Sequence, residues 1–361
     1  MVPHAHRQRR RGPAWFPQKA VVFTIIRQKG DDEMKITMAH GSGGWETSQL
    51  IEGIFAKYFS NPILDQMEDS AVVPGGERLA FTTDSFVVNP VFFPGGDIGR
   101  LAVCGTVNDL LMSGSQPRYL SVGMILQEGL EIESLERIVR SMSETAKEAD
   151  VLIVAGDTKV VEGNGELYIN TSGIGHIPDQ REVRASLCQP GDRILVSGYL
   201  GDHHAAIMSA RMGIENEIRS DCAPLSQMVE QLFAAGISIR AMRDITRGGL
   251  ATILGEYAHA CGYGMEIAEE AIPVSAATRG FCDILGLDPL YMGNEGKMLL
   301  VVKPEDAVSA LEIMRKSAYG QQAAIIGTVT EHHAGRAYVK TSIGGERLLS
   351  ALYGEGLPRI C

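Results

Sequence analysis

Two α+β domains in tandem are the fold class this sequence predicts, and three observations lead there. The chain has 361 residues, enough for two domains of ordinary size, each with a buried core. Strand-like and helix-like apolar patterns mix through both halves. Between the halves, Pro178-Asp179 and Pro190-Gly191-Asp192 bracket a polar stretch that interrupts the pattern. The expected organisation is an extension over 1–33, a first domain over 34–180, a second over 190–347 and a tail over 348–361.

The elements follow in order. Trp45 to Phe59 carries Ile51, Ile54, Phe55 and Tyr58 at helical spacing. Leu79–Thr83 reads as a strand, Asp97–Ser113 as a mostly apolar helix and Tyr119–Leu126 as a strand. Ile132–Ala149 is an amphipathic helix with its charges on the outer face. Val151–Ala155 and Leu167–Ile177 are buried strands. In the second half the strand Arg193–Ser197 precedes helices near His203–Met212, Pro224–Ala235 and Gly249–Cys261. The strand Lys297–Val302, the helix Glu305–Ser317 and the strands Ala323–Val329 and Ala337–Lys340 complete the pattern. Tyr353 to Cys361 has no periodicity and reads as a mobile tail.

Composition removes several function classes. No run approaches the ~20 apolar residues of a membrane span. A net charge of −11 argues against nucleic-acid binding. Residues 1–30 hold seven bases and no acid, so the rest of the chain has 26 basic against 44 acidic residues, a net −18. The basic run Arg7–Arg11 and the apolar run Ala20–Ile26 mimic an export signal, but no small-x-small cleavage site follows. We read 1–33 as an extension upstream of a natural start at Met34, with a basic arm for an acidic partner as the alternative. The six cysteines form no CxxC pair, so zinc-knuckle and iron–sulfur spacing is missing; a disulfide framework does not suit this size and spacing, and reduced thiols in a cytoplasmic protein are expected. Cys104 and Cys261 fall in apolar helical patterns and are expected in the core.

Four groups of residues could carry chemistry. His40-Gly41-Ser42-Gly43-Gly44 precedes a helix, where small residues let backbone N–H groups approach phosphate; the loop does not match the Walker pattern. Asp69, Asp84, Asp109 and Asp157 sit at turns, at strand ends or within an apolar helix. Any one alone suits a cap or turn, but together they supply the hard oxygen donors that Mg²⁺ and polyphosphate require. Asp244-Ile245-Thr246-Arg247-Gly248-Gly249 and Asn294-Glu295-Gly296-Lys297 are polar, glycine-containing turns. Adjacent His203 and His204 face different ways on a helix, so the structural role is preferred for them. Lastly, Cys361 ends a segment that could reach about 45 Å when extended. Its own carboxylate disfavours the thiolate, which suits a carrier loaded by another enzyme better than a self-activated nucleophile.

These residues together resemble a known family. AHGSGG at 39–44, the stretch from Thr82 to Gly114, GDTKVV at 156–161, RDITRGG at 243–249, NEGK at 294–297 and the final PRIC are similar to the hydrogenase maturation family HypE. That family lies in the superfamily of AIR synthetase, selenophosphate synthetase and thiamine-monophosphate kinase. The resemblance runs from about Met34 to Cys361. It implies a PurM-like fold, with an N-terminal domain that contributes strands to a dimeric β-barrel, a C-terminal α/β domain, and ATP between them.

It also implies an activity: ATP-dependent dehydration of a carbamoyl group on Cys361 to a thiocyanate. A HypF-type carbamoyltransferase would load the thiol, and the HypC–HypD iron scaffold would receive the cyanide for the NiFe hydrogenase centre. Carried over residue by residue, Gly41, Ser42, Gly43 and Gly44 would cover phosphates. Asp69, Asp84, Asp109 and Asp157 would bind Mg²⁺–ATP with Asn108 and Thr158 assisting. As catalytic groups beside Cys361, Lys159 would contact phosphate or stabilise developing negative charge and Glu295 would accept the proton, while Asp244 and Arg247 would close the second-domain side. Selenophosphate synthetase is disfavoured because residues 34–44 contain no Cys. AIR synthetase and thiamine-phosphate kinase leave the terminal Cys unexplained. A non-catalytic metal-binding assembly scaffold would leave the phosphate-type loop idle.

Overall fold

The computed structural model describes residues 35–41, 45–66 and 73–350. Short helices α1 (Trp45–Leu50) and α2 (Ala56–Phe59) are joined by a π-helical turn over Ile51–Phe55, so the expected helix is present with its hydrogen-bond ladder widened in the middle. After β1 (Leu79–Phe86) and the small ribbon β2 (Phe92–Phe93) with β3 (Gly96–Asp97) comes α3 (Ile98–Met112). Then follow β4 (Gln116–Gln127), α4 (Ile132–Glu148), β5 (Leu152–Val161) and β6 (Leu167–His176). The four long strands form a sheet in the order β1-β6-β4-β5. All pairs are antiparallel except β4 with β5, which α4 joins as a crossover.

Helix α3 organises this half. Asp97 caps its start by accepting from the N–H groups of Gly99 and Arg100, at 2.8 and 3.0 Å. Leu101, Val103, Val107 and Leu111 are fully buried around it, each contributing about 1.5–3 kcal/mol of burial. One face of the four-stranded sheet packs on α3 and α4. On the opposite face, paired residues form rows across the strands: Phe81–Ile174–Tyr119–Leu152 is apolar, and Ser85–Asn170–Gly123–Asp157 is polar. That face is open in the single chain, with Phe81 69% exposed.

The second half contains β7 (Arg193–Val196), α5 (Asp202–Met212), α6 (Ser226–Ala234), β8 (Ile239–Asp244), α7 (Gly249–Cys261), β9 (Gly264–Ala268) and α8 (Ala276–Leu285). It ends with β10 (Met298–Val302), α9 (Ala307–Lys316), β11 (Ala324–Thr330), β12 (Ala337–Lys340) and β13 (Glu346–Leu349). Its seven strands run β13-β12-β9-β11-β7-β10-β8. The fully buried β10 is a continuous apolar run, as a central strand must be. Strands β8, β9 and β13 and helix α8 lie outside the elements expected from the sequence. β8 and β13 are edge strands carrying exposed charges such as Arg243 and Arg347. β13 continues to Leu349, past the expected start of the tail at 348, because its backbone pairs with β12. Residues 1–34 and 351–361, with the expected extension and most of the tail, lie outside the described residues.

Candidate active site

A cleft of about 460 Å³ opens between the two halves. From the first half it is lined by Asp84, Ser85, Phe86, Gly105, Asp109 and Met112. Arg243, Asp244, Thr246, Arg247 and Glu295 complete it from the second. Five residues singled out in the sequence, Asp84, Asp109, Asp244, Arg247 and Glu295, therefore meet in one place.

Each carboxylate is held by its local structure. Asp84 lies on the α3 side of β1 and accepts a 2.9 Å hydrogen bond from Thr106 Oγ1. One turn further along α3, Asp109 accepts from Thr82 Oγ1 at 2.9 Å. These hydroxyls fix the two aspartates without cancelling their charge. Burial raises the pKa of Asp84, with the Asp109 charge adding to it and the Thr106 bond and Arg247 opposing. Asp244, almost wholly buried at the end of β8, is pushed up to about 7 by burial and then by Asp109, with Arg243 opposing. The cleft therefore carries negative charge that its own arginines only partly balance.

The second-half turns are built to present their side chains. Gly248 and Gly249 both have left-handed backbone, φ +79° and +62°, which turns the chain from β8 into α7 behind Arg247. The NEGK turn is stitched to this motif: Ile245 N–H donates to Lys297 O at 2.8 Å, and Asn294 N–H donates to Ile245 O at 2.9 Å. A Cβ at Gly296 would lie 2.0 Å from the Asp221 carbonyl oxygen, so glycine alone permits this close approach. Asp221 in turn accepts from Glu295 N–H at 3.0 Å and pairs with the buried Lys297 at 3.6 Å. Sequence reasoning missed Asp221, Thr82 and Thr106; a polar threonine inside an apolar helix was the available signal for the last.

Other expected site residues are placed elsewhere. Asn108 does not line the cleft: its Nδ2 donates to Ala223 O at 3.0 Å and its Oδ1 accepts from Leu225 N–H at 2.9 Å. Asp157 and Lys159 are exposed on the open face of the first sheet, and β5 is the strand furthest from β1. Alternation along a strand, with three strand spacings of about 4.8 Å, separates Asp157 from Asp84 in face and in distance. Thr158 also does not line the cleft. Of the expected aspartate set, Asp84 and Asp109 thus share the cleft, whereas Asp157 does not line it within one chain. Gly41 ends a short 3₁₀ turn, while Ser42, Gly43, Gly44, Asp69 and Cys361 lie outside the described residues. His203 and His204 are core residues, pushed down to about 3 and about 4 chiefly by burial. Cys104 is buried as expected, whereas Cys261 is only partly so.

The carboxylates can be tested as cation ligands by their chemistry. Asp84, Asp109 and Asp244 offer hard oxygen donors, but no three of them bring their oxygens within 4.8 Å among the described residues. What fits Mg²⁺ is the donor type, since that ion keeps several waters and binds through one or two carboxylates plus substrate phosphates.

Two family models cover most of the chain: AIR synthase related protein, N-terminal domain, at residues 67–177, and the C-terminal domain at 189–340. A Rhodobacter capsulatus protein described as carbamoyl dehydratase HypE is 47% identical over 335 residues, 91% of this chain and 98% of that protein. The chain belongs to the HypE family. A solved structure of hydrogenase maturation protein HypE in complex with ATP is 46% identical, with a TM-score of 0.86, covering 90% of this chain and 99% of that one. A chain of a solved HypE–HypF complex is 45% identical with a TM-score of 0.74, covering 84% of this chain and 99% of that chain. The PurM-like fold expected from the resemblance is thereby shown. Among the described residues, no helix is long and apolar enough to cross a membrane.

Proposed function

We propose that this HypE chain is an ATP-dependent carbamoyl dehydratase of hydrogenase maturation, acting in the cytoplasm on a carbamoyl group carried by its own Cys361. The observation that carries the reading is 47% identity over nearly the full length of a protein described as carbamoyl dehydratase, combined with a charged cleft where both halves contribute. A HypF-type carbamoyltransferase loads the thiol, giving Cys361 Sγ–C(=O)–NH₂. The carbonyl oxygen attacks the γ-phosphorus of ATP and ADP leaves. The nitrogen loses one proton to solvent to give the O-phosphorylated imidate and the second to Glu295 as the C–O bond breaks; phosphate leaves, and Sγ–C≡N remains. The cyanide passes to iron on the HypC–HypD scaffold. Phosphorylation is needed because an oxide or hydroxide is a poor leaving group and phosphate is a good one.

The cleft residues divide this work. Asp84 and Asp109, with Asp244 facing them, would hold Mg²⁺, which neutralises polyphosphate charge when bound. Arg247 meets phosphate charge directly. Glu295 stands on the second-half wall as the proton acceptor, its backbone anchored by Asp221. The Gly41–Gly44 loop covers phosphates, and Asp69 joins the carboxylate set. The exposed apolar row around Phe81 supports a homodimer in which two such sheet faces meet as a barrel. Asp157 and Lys159 on β5 then act at that junction with the partner copy's nucleotide, and Thr158 between them holds the strand from its other face.

Intact mass tests the reading. Carbamoylated protein should lose about 18 Da on adding Mg²⁺ and ATP, the mass of one water (the scale of a covalent change). The Cys361→Ala protein should show neither the carbamoyl gain nor the loss. Normal thiocyanate formation by that variant would defeat the assignment.

A further inference from the structure

We propose that His332, His333 and Glu346 form a transition-metal site, separate from the cleft, that takes Zn²⁺ or a similar borderline divalent ion. The two histidines sit in the turn between β11 and β12, and Glu346 opens β13. Adjacent side chains in extended backbone point to opposite sides. Here His333 has left-handed backbone, φ +50°, an unfavourable conformation for a residue with a Cβ. The two imidazoles consequently lie side by side, with ring centroids 3.8 Å apart.

Both Nε2 atoms face the same carboxylate oxygen. His333 Nε2 is 2.9 Å and His332 Nε2 is 3.6 Å from Glu346 Oε2, and all three ligand atoms lie within 4.8 Å of one another. Ligands of a tetrahedral zinc ion, at about 2.0–2.1 Å from the metal, are roughly 3.3 Å apart. Small side-chain rotations would therefore close the set around an ion. Tyr338, fully buried, meets both rings nearly edge-on at 5.8 and 4.7 Å and holds their orientation. Its hydroxyl donates to Glu266 at 2.6 Å, so it is a wall and not a ligand. The nearby ammonium of Lys340 is paired with Glu266 at 3.0 Å.

A plain His–Glu ion pair is the competing explanation, and it needs one imidazole. Here both Nε2 atoms converge on one carboxylate oxygen, the arrangement that a single metal centre shared by two imidazoles and a carboxylate requires. Partial exposure of all three residues leaves a fourth position for water or a partner's donor. Bound metal would staple the β11–β12 turn to the start of β13, at the root of the terminal segment.

The test uses full-length protein, stripped with chelator and kept in excess Mg²⁺ to cover the carboxylate cleft. Titrated Co²⁺ should bind once per chain with the intense visible absorption of a four-coordinate ion, and Zn²⁺ should displace it and raise Tm. His333→Ala and Glu346→Gln should each weaken binding at least tenfold, while Cys361→Ala and Asp84→Asn leave it unchanged. Comparable Tm values for the stripped proteins show that each variant folds. Equal Co²⁺ affinity in the His333 and Glu346 variants, loss in the Cys361 variant, or no four-coordinate spectrum overturns the proposal.

Discussion

Asn108 on α3 accepts a hydrogen bond from the backbone N–H of Leu225 at 2.9 Å, tying the central helix of the first half to the segment before α6 in the second. The same amide donates to Ala223 O at 3.0 Å, and more weakly to Glu295 O at 3.4 Å. One buried side chain thus closes the two halves beside the cleft.

Replacing it should therefore act through the interface. Asn108→Ala leaves the Leu225 N–H and Ala223 carbonyl unpaired, each costing about 1–3 kcal/mol. Urea unfolding should show a lower midpoint. Asn108→Asp keeps the acceptor but sets a carboxylate against two carbonyls, so it should rescue little. An unchanged midpoint in both variants would rule out the tie.

The cleft carboxylates should separate stability from ligand binding. Asp84→Asn and Asp109→Asn relieve like-charge repulsion and keep a hydrogen-bonding partner for Thr106 or Thr82. Without divalent ions these variants should melt at or above the parent temperature. The Tm rise on adding Mg²⁺ and ATP should shrink or vanish, and chelator should remove it from the parent protein. A full rise in both variants would place the nucleotide elsewhere.

His203 and His204 predict a pH dependence whose sign is fixed by burial. Their folded pKa values, about 3 and about 4, lie below the unfolded value near 6.5. Their contribution is complete above about pH 6.5 and is lost as pH falls, because the unfolded chain takes protons that the folded chain refuses. Between roughly pH 6.5 and 5 the slope should approach 1.4 kcal/mol per pH unit for each histidine. Urea unfolding across that window should show it, and His204→Leu should reduce it by about half. A slope untouched by the substitution would assign the effect to other groups.

The open sheet face predicts an association. Phe81→Asp puts a charge in the row Phe81–Ile174–Tyr119–Leu152. Sedimentation should show a dimer for the parent and a monomer for the variant, with the monomer still folded. A dimer of unchanged strength would move the interface to another surface.

Much of the second half's chemistry was legible before its geometry. RDITRGG and NEGK both read as polar, glycine-containing turns and carry Asp244, Arg247 and Glu295 to the cleft; the left-handed backbone at 248 and 249 and the contact with Asp221 came only with the structure. The strands β8 and β13 were not legible, because at a sheet edge exposed charges replace apolar alternation. The role of Asn108 was also hidden. An asparagine beside an aspartate looks the same whether it reaches a ligand or a backbone 115 positions away.

The amino-acid order alone determined the alternation of strands and helices, the oxygen-rich chemistry and the turns that present it, since these rest on local periodicity, charge and backbone freedom. Only the tertiary structure decided which acids share a cleft. Asp244 joins Asp84 and Asp109 there because the end of β8 and the loop after it meet β1 and α3 across the two halves. Asp157 is turned away because alternate residues of a strand face opposite sides, and helix packing determines which side is covered.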